Sequence, residues 1–223
     1  QSDADAAKYY MMATDQGHTA AQYNLGLMYQ YGTGVQQSHA EAVKFYRMAA
    51  ENGDADAQYK LGVMYDKGRG VKQSDAEAVK YYQMAADQGF ATAQSNLGSM
   101  YHAGTGVEQS DTEAVKYYQM AADQGFAAAQ SNLGSMYHAG RGVKQSDADA
   151  VKYYRMAAEQ DDKNAQNHLG YMYRNGRGVK ESDEEAVKYY RMAADQGHAA
   201  AQCSLGFMYD HGTGVEQSYE EAV

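Results

Sequence analysis

The chain has 223 residues and a net charge of −10, so neither a nucleic acid nor an anionic membrane is the expected partner. Its single cysteine, Cys203, excludes an internal disulfide framework and a cysteine-based metal site, and it leaves the cellular compartment open. The sequence contains no apolar run of membrane-spanning length and no signal-like first segment. We therefore expect no nucleic-acid binding and no direct membrane insertion.

The dipeptide Leu-Gly recurs six times at an unbroken interval of 36 residues, from Leu25-Gly26 to Leu205-Gly206. A fixed period of this length indicates one supersecondary unit copied in tandem, with each copy burying its apolar face against its neighbours. Residues that recur in every copy are expected to hold the copies together rather than to perform chemistry.

In chain order, residues 1–17 are predicted to be the second helix of a preceding repeat. Five complete repeats follow at 18–53, 54–89, 90–125, 126–161 and 162–197, and an incomplete sixth occupies 198–223. We expect the chain to be a fragment of a longer array, whose targeting sequence is missing. Because solenoids expose their core at uncapped ends, self-association through the ends is also expected.

The repeat at 54–89 shows how each unit is built. Apolar side chains at helical spacing predict a first helix over 55–67, which Gly68 ends in the left-handed conformation. After a six-residue loop, a capping box of Ser74 and Glu77 begins the second helix, and Gly89 closes it. The box recurs at Ser38/Glu41, Ser110/Glu113, Ser182/Glu185 and Ser218/Glu221, with Asp149 after Ser146, and Asp161 is the one departure from the closing glycine.

The string AxxxLGxMYxxGxGVxxSxxEAVxYYxMAAxxG, repeated along the chain, resembles the Sel1-like repeat, a relative of the tetratricopeptide repeat. The resemblance implies an all-α fold, a right-handed α-solenoid of 36-residue helix–loop–helix Sel1-like repeats. Two features depart from the family pattern. Tyrosine stands where many members place tryptophan, and the cysteine pairs that staple some secreted members are absent.

Comparison of the six copies separates two arcs of the first helix. Positions identical in every copy fall within roughly a 160° arc. In the repeat at 54–89 they are Ala57, Gln58, Leu61, Gly62, Met64 and Tyr65. Varying positions fall within roughly a 120° arc on the opposite side. In the same repeat they are Asp56, Tyr59, Lys60, Val63, Asp66 and Lys67. Constant positions are expected to be buried, and varying positions to face solvent or a partner.

The resemblance implies that the first helices line a concave groove, so the varying arc is the predicted partner-binding surface. Repeats three and four present small polar groups there, namely Ser95, Asn96 and Ser99 and their copies Ser131, Asn132 and Ser135. The predicted partner-binding residues are Tyr23, Leu27, Gln30, Tyr31, Tyr59, Lys60, Val63, Asp66, His102, His138, His168, Tyr171, Arg174 and Phe207. Aromatic residues and arginine are the usual interface anchors. We expect Tyr23, Leu27 and Tyr59 to form the main cluster of binding residues. The alternative is that the varying positions only face solvent, and that their residues changed freely after the repeats were duplicated.

Other patterns have structural interpretations. The Gly-x-Gly loops resemble phosphate-binding loops, but none follows a strand and all six are alike, so loop geometry explains them better. His102 and His138 stand one repeat apart, too far to share a metal ion. The lysine row on the second helices, exemplified by Lys80, shares its face with acidic residues such as Asp87 and is expected to be solvated. The paired tyrosines of each second helix are expected to be core.

No nucleophile–base pair or carboxylate pair departs from the repeat, so no enzyme activity, cofactor or metal is expected. We interpret the chain as a scaffold or adaptor that presents a groove to other proteins. One alternative is a spacer or brace within a larger complex that contacts its neighbours by its outer face or loops. Another is an enzyme-associated or glycan-binding module that uses the groove aromatics.

Overall fold

The computed structural model describes residues 2–218 and 220, and within them the chain forms twelve α-helices and no strand. The chain divides into two compact units, Gln1–Ser110 and Asp111–Val223. The first unit contains α1 (Ser2–Asp15), α2 (Thr19–Tyr31), α3 (His39–Glu51), α4 (Ala55–Lys67), α5 (Asp75–Asp87) and α6 (Ala91–Ala103). The second contains α7 (Asp111–Asp123), α8 (Ala127–Ala139), α9 (Asp147–Ala158), α10 (Lys163–Arg174), α11 (Asp183–Asp195) and α12 (Ala199–His211). The predicted all-α fold of helix–loop–helix repeats is confirmed.

The first helix of each repeat ends as its sequence indicates. Helix α4 covers the predicted 55–67, and Gly68 follows it at φ 63°, a left-handed conformation that glycine adopts without steric cost. The second helices are closed by a residue with positive φ, which stands two residues beyond the helix end in most repeats and three residues beyond the end of α9. Asp161 takes this role in the fourth repeat at φ 61°, the one non-glycine residue with positive φ among the described residues.

The serine caps form only half of the expected capping box. The Ser74 hydroxyl accepts from the Glu77 N–H at 3.3 Å, as predicted. The Ser74 N–H, however, donates to the carbonyl of Tyr65 at 3.1 Å, which ties the cap to the preceding helix. The Glu77 carboxylate lies 3.7 Å from the Lys80 ammonium. The predicted cap at Ser218 and Glu221 cannot be compared, because Glu221 lies outside the described residues.

In the repeat at 54–89 the constant positions are buried except for Tyr65, which is half-buried, and the constant glycine has a steric reason. Leu61 and Ala57 are inaccessible to solvent, and Tyr82 of α5 is nearly so. A Cβ atom placed on Gly62 would lie 2.7 Å from Cδ1 of Tyr82. The same close approach joins Gly134 to Tyr154 in the second unit. Four glycines of the Leu-Gly pairs, Gly26, Gly62, Gly134 and Gly170, therefore make room for a buried tyrosine ring.

Polar contacts join one repeat to the next within each unit. The buried Gln58 donates through Nε2 to the Ala50 carbonyl at 3.1 Å and accepts from Nε2 of Gln88 at 2.7 Å. The Tyr65 hydroxyl accepts from Arg47 of the preceding second helix at 2.8 Å. Gln58 and Tyr65 thus each find a partner, Ala50 and Arg47, across the boundary between helix pairs.

The second glycine of each loop also makes a contact between repeats. Gly70 has φ 72°, and a Cβ there would clash with the backbone carbonyl of His39, the first residue of α3. Gly178 approaches Asp147 of α9 in the same way. Left-handed geometry and this close backbone approach together account for the Gly-x-Gly pattern.

Candidate partner-binding surface

We use the name first-helix face for the varying positions of α2, α4 and α6 in the first unit and of α8, α10 and α12 in the second. In the first unit Tyr23 is half-buried, and its ring centre lies 5.9 Å from that of Tyr46. The Tyr46 hydroxyl donates to the side-chain oxygen of Gln30 at 2.6 Å. Burial raises the pKa of Tyr23, and nearby Asp56 and Asp54 raise it further. The predicted anchor Tyr23 is therefore also a packing residue.

Tyr59 is likewise half-buried rather than free on the solvent side. Its ring centre lies 5.8 Å from that of Tyr82 and 5.1 Å from that of Phe90. Burial raises the pKa of Tyr59, and the nearby Asn96 opposes the rise. The interpretation of this position as open to solvent is corrected, because two neighbouring aromatic rings cover much of the side chain.

A pocket of about 500 Å³ opens on the first-helix face of the first unit. Three of the predicted residues, Tyr59, Val63 and Asp66, line it together with Tyr82 and residues of α6. The Asp66 carboxylate lies 2.9 Å from the Lys67 ammonium. Aromatic and aliphatic walls with a charged rim suit the side chain of a partner.

The remaining predicted residues of the first unit lie in different settings. Leu27 packs against a cluster of buried residues, most of which belong to α3 and α4. Tyr31, in contrast, is 62% exposed. Lys60 and His102 are half-buried.

The prediction that the small polar groups of repeats three and four face solvent or a partner is wrong for two of the serines. Ser95 and Ser131 are buried, with 4% and 5% exposure, and are not presented to solvent. The Ser99 hydroxyl donates to the Ser95 carbonyl at 3.1 Å, and Ser135 makes the equivalent bond to Ser131 at 3.2 Å. The Ser99 and Ser135 hydroxyls therefore bond to the backbone of their own helices, because a serine side chain is short enough to reach the carbonyl one turn earlier.

The second unit brings all its predicted residues into one strip of rings and cations. The His138 and Tyr171 ring centres lie 6.1 Å apart, edge to face. The Arg174 guanidinium lies 4.5 Å from the centre of the Phe207 ring, and Arg177 covers the Tyr171 ring at 5.6 Å. Tyr171 and Phe207 are 39% and 42% exposed, so both rings still reach solvent.

His168 forms the buried part of this strip. Its ring stacks on Tyr154 with the centres 4.8 Å apart. Burial lowers the pKa of His168, and the nearby His138 and His198 lower it further, while Asp162 opposes the shift. Nδ1 of His138 lies 2.6 Å from a carboxylate oxygen of Asp147.

Sequence reasoning missed the residues that form the floor and edge of the strip. Tyr154 and Tyr190 are buried, as predicted from their constancy, but Tyr154 also stacks on His168, and the charge of Arg174 opposes the rise in the pKa of Tyr190 that burial causes. Arg177 belongs to a Gly-x-Gly loop, and His211 stacks on Phe207 with the ring centres 4.0 Å apart. The sequence did contain a signal for Arg177. The middle residue of the Gly-x-Gly loop varies among the repeats, and the same kind of variation was used to predict the other binding residues.

The outer face of the second helices is more regular. Lys80, Lys116 and their copies each lie over the aromatic ring that follows them, at about 5.2 Å in these two cases. Their carboxylate partners are the glutamates three residues earlier, at 3.7 Å and 3.1 Å, rather than Asp87. Asp87 instead accepts from Gln83 at 2.6 Å. The positive charges of Lys80 and Lys116 are therefore compensated by the glutamates of the first turn of each second helix.

Within residues 2–218 and 220, no group of three or more histidine, cysteine, aspartate and glutamate side chains is placed to hold a metal ion. None of the helices in this part of the chain combines the length and the apolar character needed to cross a membrane.

Helix pairs that repeat every 36 residues and lock to their neighbours through tyrosine, glutamine and glycine define a helical-repeat protein of the solenoid class. The model of the Sel1 repeat family matches residues 19–54, 55–90, 91–126, 127–162, 163–198 and 199–223. The chain belongs to the Sel1 repeat family. Comparison with curated protein sequences found no match.

Solved structures agree with this assignment. A protective antigen of uropathogenic Escherichia coli with an SLR fold is 38% identical, with a TM-score of 0.90 over 96% of this chain. The chain spans 46% of that antigen's length. A Sel1 repeat protein from Oxalobacter formigenes is 34% identical, with a TM-score of 0.90 over 99% of this chain and 88% of its own. An immunity protein from Pseudomonas aeruginosa, 21% identical over 92% of this chain and 74% of its own, shares the fold with a TM-score of 0.53.

Sel1 repeat proteins are generally scaffolds for protein interaction, and the family is non-catalytic. They bind other proteins.

Proposed function

We propose that the chain is a scaffold or adaptor that binds segments of other proteins along a groove lined by its first-helix face. The observation that carries the proposal is the pair of exposed rings, Tyr171 and Phe207, each covered on one side by an arginine. Aromatic residues and arginine in a fixed arrangement are the commonest interface anchors. The predicted groove residues of both units belong to this proposal.

The mechanism is rigid display. The first-helix side chains rest on buried tyrosines of the second helices, as Tyr23 rests on Tyr46 and His168 on Tyr154. Side chains that are already ordered lose little entropy when a partner binds, so more of the contact energy appears as affinity. In the first unit, the pocket beside Tyr59 and Val63 would receive an apolar side chain of the partner.

A structural brace is the second candidate, and a specific observation favours it. Pockets of about 430 Å³ and 390 Å³ recur on the outer face, at equivalent positions beside Met48 and Met156. Met156 and Met120 are exposed large apolar side chains on the second helices. A neighbouring subunit of a larger complex could pack on these pockets and leave the groove empty.

Photocrosslinking in the native source distinguishes the two surfaces. A photoreactive phenylalanine analogue replaces Phe207 or Ser99 on the first-helix face, and in matched variants Lys188 or Lys80 on the outer face. Discrete adducts at Phe207 or Ser99, without the same adducts at the lysine positions, are expected. Adducts confined to the Lys188 and Lys80 variants would reject the groove-binding scaffold and favour the structural brace.

A further inference from the structure

The first-helix face of the second unit carries cations that no carboxylate neutralises. Within residues 2–218 and 220, neither Arg174 nor Arg177 forms an ion pair, although the chain as a whole has a net charge of −10. Both guanidinium groups instead lie over aromatic rings, at 4.5 Å and 5.6 Å from the ring centres. Stacking holds a guanidinium in place while its N–H edge remains able to donate.

Two of the carboxylates close to this strip have histidine partners. Asp147 lies 2.6 Å from Nδ1 of His138, and Asp210 lies 3.3 Å from Nδ1 of His211. Burial raises the pKa of Tyr190, and the positive charge of Arg174 opposes that rise. Arg174 is thus held against a neutral ring, that of Phe207, and retains its full charge for an external anion.

From this charge distribution we propose that the first-helix face of the second unit binds an acidic peptide segment of a partner protein. Carboxylates of the segment pair with Arg174 and Arg177, and its apolar side chains pack on the exposed edges of Tyr171 and Phe207. Charge complementarity selects the partner, since planar guanidinium groups bind carboxylates through two parallel hydrogen bonds. The inference rests on the proposed scaffold function and names the class of its partner.

The test uses the whole chain and three fluorescent peptides of equal length. One is composed of Glu, Leu and Phe, and in the others Gln or Lys replaces every Glu. Binding is followed by fluorescence anisotropy at two salt concentrations. A second readout reports the place of binding, namely the alkylation rate of Cys203, which is exposed on α12 one turn before Phe207 and is the chain's single cysteine.

The Glu peptide is expected to bind at least about tenfold more tightly than the Gln peptide, to weaken with salt and to slow alkylation of Cys203. Arg174→Gln is expected to remove most of that tenfold preference. Arg155→Gln is the matched control. It removes the same charge from the second helix α9, where Arg155 donates to the Tyr173 hydroxyl at 3.1 Å. Arg177→Gln, in an exposed loop, gives a second test should Arg174→Gln disturb folding.

Two results would overturn the inference in different ways. Equal binding of the Glu and Gln peptides, with Cys203 protected by both, would reject an acidic partner and leave the scaffold function standing. Failure of every peptide to protect Cys203, together with photoadducts confined to the outer-face lysines, would reject the acidic partner and the scaffold function together. Equal losses in Arg155→Gln and Arg174→Gln would also reject the assigned site.

Discussion

The guanidinium of Arg174 lies 4.5 Å from the ring centre of Phe207, a residue 33 positions further along the chain. His138 and Tyr171 are separated by the same 33 positions and are also in contact, with ring centres 6.1 Å apart. In the first unit, Asp66 and Ser99 have this separation and line one pocket. Within each unit, the last turn of one first helix therefore meets the middle of the next first helix. Successive repeats build the face jointly, and a change in one repeat alters the site of its neighbour.

Stability is expected to depend on the glycine of the Leu-Gly pair. Gly62→Ala would gain about 1 kcal/mol from helix propensity alone. The new Cβ would lie 2.7 Å from Cδ1 of the buried Tyr82, however, and such overpacking typically costs ~1–3 kcal/mol. Because this separation is far below van der Waals contact, we expect a net loss of about 1–2 kcal/mol in the free energy of unfolding. Urea denaturation followed by circular dichroism measures it.

Ser99→Ala is the control for this substitution. Ser99 is exposed on the first-helix face, and alanine has the higher helix propensity, so the change should stay within about 0.5 kcal/mol. If Gly62→Ala proved as stable as Ser99→Ala, the steric explanation of the Leu-Gly repeat would be wrong.

The buried Gln58 should link α4 to the preceding repeat through Ala50 and to the turn after α5 of its own repeat through Gln88. Gln58→Leu has a similar volume but cannot bond to the Ala50 carbonyl or to Gln88, which lie at 3.1 Å and 2.7 Å. Leaving buried polar groups without partners costs ~1–3 kcal/mol, and we expect a loss in that range. A double-mutant cycle with Gln88→Ala isolates the bond between the two glutamines. Additive losses would show that this bond contributes nothing to stability.

The helical elements could be predicted closely because they depend on local signals that recur six times. Apolar spacing located α4, and left-handed glycines and serine caps located the helix ends. The reciprocal half of the capping box was wrong because the Ser74 N–H finds the Tyr65 carbonyl, a partner that the cap motif does not include. Contacts that cross from one helix pair to another leave no local pattern.

The candidate site was only partly predictable for the same reason. Variation among copies identified Tyr171, Arg174 and Phe207, which the structure brings together. Variation does not exclude burial, however, because a neighbour can vary as well. Phe90 stands where Asp54 caps α4 at 2.7 Å, and its ring, which makes no cap hydrogen bond, stacks on Tyr59 instead. Exchange of a polar cap for an aromatic contact buries a position that sequence comparison marks as exposed.

Tyr59 is expected to contribute to stability as well as to binding. Tyr59→Ala removes ring contacts with Tyr82 and Phe90, at 5.8 Å and 5.1 Å between centres. Since each aromatic pair contributes ~0.5–1.5 kcal/mol beyond its buried area, we expect a loss of about 1–3 kcal/mol on denaturation. Tyr31→Ala, at a site 62% exposed, should change stability by less than about 0.5 kcal/mol. If the two variants were equally stable, the conclusion that the Tyr59 ring contributes to packing would be wrong.

Stability should fall at mildly acidic pH because of His168. Burial against Tyr154, with His138 and His198 nearby, lowers the pKa of His168 below its ordinary value of 6.5. The unfolded chain therefore binds a proton more readily than the folded chain. The contribution of neutral His168 is complete above about pH 6.5 and is lost as the pH falls towards the lower pKa of the folded state.

Two variants isolate this contribution. His168→Phe keeps a ring to stack on Tyr154, and His168→Asn introduces the residue that occupies the same position in three other repeats, at Asn24, Asn96 and Asn132. Neither replacement titrates, so both variants should lose less stability than the parent chain between about pH 8 and pH 5.5. Urea midpoints at the two pH values, with circular dichroism to confirm the fold at the higher one, provide the measurement. An equal decline in the parent and both variants would mean that His168 exchanges a proton equally readily in the folded and unfolded states.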